Sequence, residues 1–371
     1  MPAIQNSSKS LVLVTGATGY IAAWVVRNLL ERGFDVRGTV RSPSKGQELL
    51  SVLEKQIPGY GSTEAKVGKF DFVIVEDIAK EGAFDEAVKS VDAVEHVASP
   101  FHMNADDPNE LIEPAVKGTV GILESVKQYG DKVKRVVITS SCAAVGLPMD
   151  KPMVFDENNW NDIAIRETQE LGRKAPGVTK YRASKTLAEK AVWAFVSENS
   201  GLAWDVVVLN PPFVFGPATN YVPTPDKLGT SATDWYKTIM THEPDAAGKS
   251  GQALTARVSS WVDVRDVAEA HVRALLKQEA GGNRIIVSAG HFNWQEWLDT
   301  ANSLKSSPYT KHPLSKGTPG AGRDTQPQVV NKADRAIRLL GISHDKDAEY
   351  RYKTREETTR DTLADFAARG W

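Results

Sequence analysis

Cysteine is nearly missing from this chain of 371 residues: Cys142 stands alone. No disulfide can therefore form within the chain, and a reducing compartment is expected. Long hydrophobic runs are also missing. No apolar stretch approaches the ~20 residues that a membrane helix needs, and the polar stretch Met1 to Ser10 has no apolar signal core. No charge of one sign dominates: the formal net charge is -2 at pH 7, which gives no reason to expect a nucleic-acid partner or an anionic membrane. Zinc-enzyme spacing is absent as well, because the seven histidines include no His-x-x-x-His pair, so no metal is expected. There is no internal repeat. What these absences leave is a cytoplasmic globular protein that takes a small molecule, with monomer and homodimer both open.

What is present is an ordinary globular composition, 41% hydrophobic and 25% charged, arranged in alternation. The apolar run Leu11 to Val14 reads as a buried strand. A helix follows, with Ile21, Val25, Val26, Leu29 and Leu30 on one face. Further strands are expected at 34–40, 72–75, 93–97 and 133–139, with helices at 47–55, 83–88 and 111–129 between them. Alternation of this kind predicts an α/β fold, a doubly wound parallel sheet with helices on both faces. Residues 146–174 read as irregular. A helix is expected from about 179 to 197 and a sixth strand at 204–209. Beyond 217 the alternation weakens, with one helix near 233–240, and it returns in the helix 264–276 and the strand 284–287. Helices at 294–304, 332–340 and 355–368 close the chain, with 305–328 poorly structured. This divides the protein into a dinucleotide-binding Rossmann domain, residues 10–210 with a returning segment at 258–290, and a smaller substrate-binding region, residues 211–257 and 291–371.

Between the first strand and its helix lies Thr15-Gly16-Ala17-Thr18-Gly19-Tyr20-Ile21. A strand, a glycine turn and a helix N-terminus together suit a dinucleotide pyrophosphate. Glycine lets the backbone approach the phosphates, and the helix start offers free N–H groups. Arg41 ends the second strand where an acid would bind the ribose of NAD; an arginine there accommodates the 2′-phosphate of NADP, and Ser42 and Lys45 add donors and charge. Tyr181 and Lys185 lie four apart, on one helix face. An ammonium so placed favours the phenolate and lowers the tyrosine pKa, and the tyrosine can give a proton to a carbonyl oxygen. A hydroxyl at the end of the fifth strand can hold that oxygen, with Thr139, Ser140 and Ser141 all suited by chemistry. Cys142 has no neighbouring histidine and reads as a small buried hydrophobe, and His96 as a packed strand residue. Trp235 and Tyr236, in the less regular region, are candidates for a pocket wall, as are Phe101 and Phe213.

These segments resemble the extended short-chain dehydrogenase/reductases, in particular the dihydroflavonol-reductase-like fungal and yeast carbonyl, methylglyoxal and aldehyde reductases. The likeness is carried by Val-Thr-Gly-Ala-Thr-Gly-Tyr-Ile-Ala (14–22), Val-Arg-Gly-Thr-Val-Arg-Ser (36–42), Gly-Ala-Phe-Asp-Glu-Ala-Val (82–88) and His-Val-Ala-Ser-Pro (96–100). It continues in Thr-Ser-Ser (139–141), Tyr-Arg-Ala-Ser-Lys (181–185), Asn-Pro-Pro-Phe-Val-Phe-Gly-Pro (210–217) and Trp-Val-Asp-Val-Arg-Asp-Val-Ala (261–268). The resemblance implies a catalytic triad of Ser141, Tyr181 and Lys185, with Lys185 also at the nicotinamide ribose. It further implies Asp77 and Ile78 at the adenine, Ala98 and Ser99 beside the cofactor, and Pro211 near the carboxamide. The flavonoid-reducing members carry asparagine five residues after the catalytic serine; here that position is Gly146, which turns the expectation from flavonoids to general ketones and aldehydes. The expected activity is NADPH-dependent reduction of a carbonyl to a chiral alcohol. The alternatives are an NAD-dependent sugar-nucleotide epimerase or dehydratase, against which Arg41 argues, and a non-catalytic NADP-sensing protein, against which Tyr181 and Lys185 argue.

Overall fold

A computed structural model describes residues 4, 10–62, 66–99, 105–149, 151–241, 252–256 and 258–371. In chain order it runs β1 Leu11–Thr15, α1 Tyr20–Glu31, β2 Asp35–Val40, α2 Pro43–Gln56, β3 Phe70–Ile74, β4 Ala93–His96, α3 Asn109–Tyr129 and β5 Arg135–Thr139. There follow β6 Met153–Phe155, α4 Asp162–Leu171, α5 Gly177–Glu198, β7 Asp205–Asn210, β8 Phe213–Phe215, α6 Thr230–Met240 and α7 Gln252–Thr255. The chain continues through β9 Ser259–Asp263, α8 Val264–Leu276, β10 Arg284–Ile286, β11 Gly290–Phe292, α9 Trp294–Ser303, β12 Val329–Asn331 and α10 Arg355–Arg369.

Seven strands form one parallel sheet in the order β10-β7-β5-β4-β1-β2-β3. Strands at its centre are buried on both faces, which is why they read as unbroken apolar runs: Val12, Leu13 and Val14 have no exposed surface. From β1 the chain builds outward through β2 and β3, then crosses to β4 on the other side of β1. The strand order reverses between β1 and β4, where Thr15 pairs with His96. In open α/β sheets a ligand crevice lies at such a reversal, outside the carboxyl ends of the strands.

Residues 258–290 contribute to two sheets. Helix α8 packs on α1 and β10 closes the large sheet, but β9 joins a smaller sheet, order β11-β9-β8. Behind that smaller sheet, Phe215, Phe292, Trp294, Trp297, Trp261 and Trp235 form edge-to-face contacts with ring centroids 4.9–6.2 Å apart. No described helix is long and apolar enough to cross a membrane.

Some local expectations change. Residues 83–88 form turns, not a helix, although Phe84, Ala87 and Val88 are buried. Residues 146–174 contain β6 and α4. Helix α4 buries only Ala164 and Thr168, four apart, and is capped by Asn161, whose side chain accepts from the Ala164 N–H at 3.2 Å. So narrow a buried stripe leaves little hydrophobic period to read. Residues 336–340 form a π-type turn that ends at Gly341, in the left-handed region at φ 66.

Candidate active site

The glycine turn is shaped by its neighbours. Gly16 has φ +64, and a Cβ on it would meet the Ala98 Cβ at 3.1 Å, so β1 and β4 leave room for backbone only. The Gly16 N–H donates to Thr39 Oγ1 at 2.9 Å, and the Gly19 N–H to the Gly16 carbonyl at 2.8 Å. Gly19 caps α1 without a side chain, and the first turn of α1 holds no acid. Those first-turn N–H groups, with the helix dipole behind them, suit an anion, so the turn fits a pyrophosphate.

Thr15 links this turn to β4. Its Oγ1 accepts from the N–H groups of Val97 and Ala98, at 3.1 and 3.0 Å. Its own proton therefore goes to His96 Nδ1, 3.1 Å away, which places the imidazole proton on Nε2. Burial holds the His96 pKa down at about 3, with the Lys185 charge contributing, so the ring is neutral. It packs edge-to-face on Phe84 at 5.8 Å. Its Nε2 is buried without a hydrogen-bond partner, and the residue borders a small cavity lined in part by Ser99, Thr119, Ser140, Lys185 and Glu189.

Ser141, Tyr181 and Lys185 come together at the end of β5. The backbone turns sharply there: the Ser141 Oγ accepts from the Ala143 N–H at 3.1 Å and caps a single 3₁₀ turn. The Pro211 carbonyl accepts from the Cys142 N–H at 3.0 Å, and Asn210 Nδ2 donates to the Ser141 carbonyl at 3.2 Å. The Tyr181 hydroxyl is hydrogen-bonded to Ser141. One helical turn on, Lys185 is 9% exposed and its Nζ donates to Ser99 Oγ at 2.8 Å.

Electrostatics here run against the expected direction. Removal of its phenol from water pushes the Tyr181 pKa up to about 12, only partly offset by the Ser141 bond. Burial lowers Lys185 to about 8, opposed by Glu189. Tyr181 is thus raised and not lowered: desolvation outweighs the Ser141 bond and the Arg182 charge. The tyrosine stays protonated at neutral pH.

Sequence reasoning passed over the frame behind the triad. Glu189, 2% exposed, accepts from Ser140 Oγ at 2.6 Å, Asn210 Nδ2 at 2.8 Å and Arg284 Nε at 2.5 Å. Arg284 stacks 3.6 Å above the Trp160 ring. Glu189 follows Lys185 by four residues, which is the only local sign that it shares the helix face of the triad.

Other expected residues fall into place around this centre. Arg41 and Lys45 are exposed at the end of β2 and the start of α2. Asp77 is exposed and accepts from the Ala79 N–H at 2.9 Å, and Ile78 lies against Gly118 of α3. Gly146 faces the Phe155 ring, which a Cβ at 146 would meet at 2.7 Å. Phe213 is 36% exposed and stacks on Phe215 at 6.1 Å. Trp235 is 1% exposed between Trp297 and Phe366; it is a core residue of the C-terminal region rather than an open pocket wall. Phe101 lies outside the described residues. Cys142 is buried and its thiol pKa is raised well above the ordinary range, which makes it a poor nucleophile. Among the described residues, no group of three or more His, Cys, Asp or Glu could hold a metal ion.

Comparison with known proteins accords with this arrangement. Residues 12–290 match the NAD dependent epimerase/dehydratase family. Ketoreductase azaE of Aspergillus niger is 42% identical over 286 residues, 76% of this chain and 78% of that protein. The NADPH-dependent methylglyoxal reductase GRE2 of Saccharomyces cerevisiae is 34% identical over 365 residues, 95% of this chain and 97% of that one. The crystal structure of yeast methylglyoxal/isovaleraldehyde reductase Gre2 complexed with NADPH superposes with TM-score 0.78 at 32% identity, covering 97% of this chain and 99% of that one. A doubly wound sheet with its glycine turn at the strand reversal, matched over most of the chain, places the protein in the NAD dependent epimerase/dehydratase family, within the extended short-chain dehydrogenase/reductases.

Proposed function

We propose that the protein is an NADPH-dependent carbonyl reductase that converts ketones or aldehydes to alcohols, largely of one hand. The observation that carries this reading is the meeting of Tyr181 with Ser141 just past the end of β5, one helical turn from Lys185, whose Nζ donates to Ser99 just past β4 at 2.8 Å. The relatives named for NADPH-dependent reduction support it.

NADPH, when bound, supplies a hydride to the carbonyl carbon. The protein's residues do the rest. Ser141 Oγ–H orients the carbonyl oxygen. Tyr181, protonated because its pKa sits near 12, gives its proton to that oxygen as negative charge develops there. Lys185 holds the cofactor ribose, and its ammonium favours the negative charge left on the Tyr181 oxygen once the proton has gone to the substrate. Gly16, Gly19 and the N–H groups of Tyr20 and Ile21 receive the pyrophosphate; Arg41 and Lys45 receive the 2′-phosphate. A carbonyl held on one side of a fixed nicotinamide exposes one face, which sets the hand of the alcohol.

Purified protein tested against diketones, β-keto esters, aryl ketones and aldehydes, with NADPH absorbance followed, checks this directly. Turnover with NADPH well above that with NADH is expected. A protein that binds NADPH and reduces none of them is a sensor, not a reductase; one that retains NAD and interconverts sugar nucleotides is an epimerase.

A further inference from the structure

The loop 216–222 connects the substrate side of the molecule to the glycine turn. On one side it is fixed to the nucleotide-binding body. Tyr20 Oη donates to the Gly216 carbonyl at 2.7 Å, Trp24 Nε1 to the Pro217 carbonyl at 2.8 Å and Asn220 Nδ2 to the Thr18 carbonyl at 3.1 Å. Thr219 and the Gln56 side chain of α2 bond to each other. On the other side α10 grips it. Asp365 accepts from the Ala218 N–H at 3.0 Å, and the Arg369 guanidinium donates to the carbonyls of Ala218, Asn220 and Val222 at 2.5, 3.3 and 3.4 Å.

The grip buries Ala218, Thr219 and Val222, at 5%, 3% and 7% exposed, and leaves Tyr221 outside at 54%. Single exposed aromatics are common; the setting of this one is not. Its backbone is held from both sides, and its ring faces Lys45, with Nζ 5.7 Å from the ring centroid, within cation–π range. Lys45 shares the corner with Arg41, at the place proposed above for the 2′-phosphate. The Lys45 Nζ also donates to Glu48 Oε2 at 2.8 Å, so carboxylate and ring position the ammonium together, and the phenol can donate to a phosphate oxygen.

We infer that the 216–222 loop completes the cofactor site from the substrate side, and that Tyr221 selects a 2′-phosphorylated dinucleotide together with Lys45. The inference rests on the NADPH reading and assigns to it a residue outside the β2–α2 corner. Through α10 it also ties cofactor choice to the C-terminal region.

Calorimetric titration with adenosine 2′,5′-bisphosphate and adenosine 5′-monophosphate tests it without turnover. If the wild-type protein binds both equally, the NADPH reading itself fails. If it prefers the bisphosphate, Tyr221→Ala is expected to weaken bisphosphate binding about fivefold and to leave the monophosphate unchanged, the loss of one charge-assisted hydrogen bond. In the double variant with Lys45→Ala the combined loss should be smaller than the product of the single losses, since the two side chains act as a unit. Unchanged bisphosphate affinity in Tyr221→Ala, equal loss for both ligands, or independent effects of the two substitutions would overturn the inference.

Discussion

In β1, four consecutive residues, Val12 to Thr15, are wholly buried and the backbone is held by its parallel neighbours β2 and β4. In the loop 216–222, the backbone is held instead by side chains from α1, α2 and α10, the last of them about 150 residues away in sequence. Both regions adjoin the glycine turn. The large sheet is built from short-range repeats of strand and helix, so its shape follows from local pattern. The loop and the C-terminal region are built from long-range polar clamps and an aromatic cluster, so their shape follows from partners far along the chain. A cofactor common to many enzymes needs a constant cradle. A substrate particular to one of them is met by parts that local pattern does not constrain.

The sharpest way to break this contrast is at the seam. Glu189 joins the triad helix to β7 and β10 through Asn210 and Arg284. Glu189→Gln leaves Arg284 buried beside a neutral amide and is expected to cost about 3–5 kcal/mol in urea unfolding, as for a buried ion pair that loses one partner. A loss confined to activity, with full stability, would make Glu189 part of the chemistry and not of the frame.

Arg41→Ala addresses the nucleotide side alone. It should weaken NADPH binding by about 1.5–3 kcal/mol, roughly 10- to 100-fold, and barely affect NADH; fluorescence titration reads both. Equal losses would remove the 2′-phosphate from that corner. The pH profile then tests the centre. Lys185, lowered to about 8 by burial, carries its charge below that pH and loses it above, while Tyr181 near 12 stays protonated throughout. The value of kcat/KM for reduction should therefore be level below about pH 8 and fall tenfold per unit above it. In the C-terminal region, Asn293 caps α9 and holds the Gly322 carbonyl at 2.9 Å and Thr325 Oγ1 at 2.7 Å. Asn293→Ala is expected to cost about 1–2 kcal/mol of stability, with cofactor affinity unchanged.

How much was legible in the sequence follows the same division. The strands from β1 to β5, the long helices α3 and α5, and the lone pair Tyr181 and Lys185 could be read because their signals are periodic or spaced by four. The third proposed member, Ser141, needed a family likeness, since Thr139 and Ser140 have the same chemistry; in the fold Thr139 turns to His271 and Ser140 to Glu189, and Ser141 caps the turn at Cys142. Helix α4 and the short strands β6, β8, β9, β11 and β12 escaped because each is too brief, or too thinly buried, to show a period. The raised tyrosine pKa escaped because burial around a phenol depends on the whole site, whereas spacing shows only which lysine is near. Glu189 escaped because its partners Ser140, Asn210 and Arg284 are 21 to 95 residues away.

The central claim is that Tyr181 gives the proton at a site whose cofactor cradle is separate from it. The most direct measurement is Tyr181→Phe, assayed for ketone reduction and, on the same preparation, for NADPH binding by fluorescence. The account predicts a fall in kcat/KM of roughly 10²- to 10⁴-fold with cofactor affinity within about twofold of wild type. Undiminished turnover by the phenylalanine variant would contradict it.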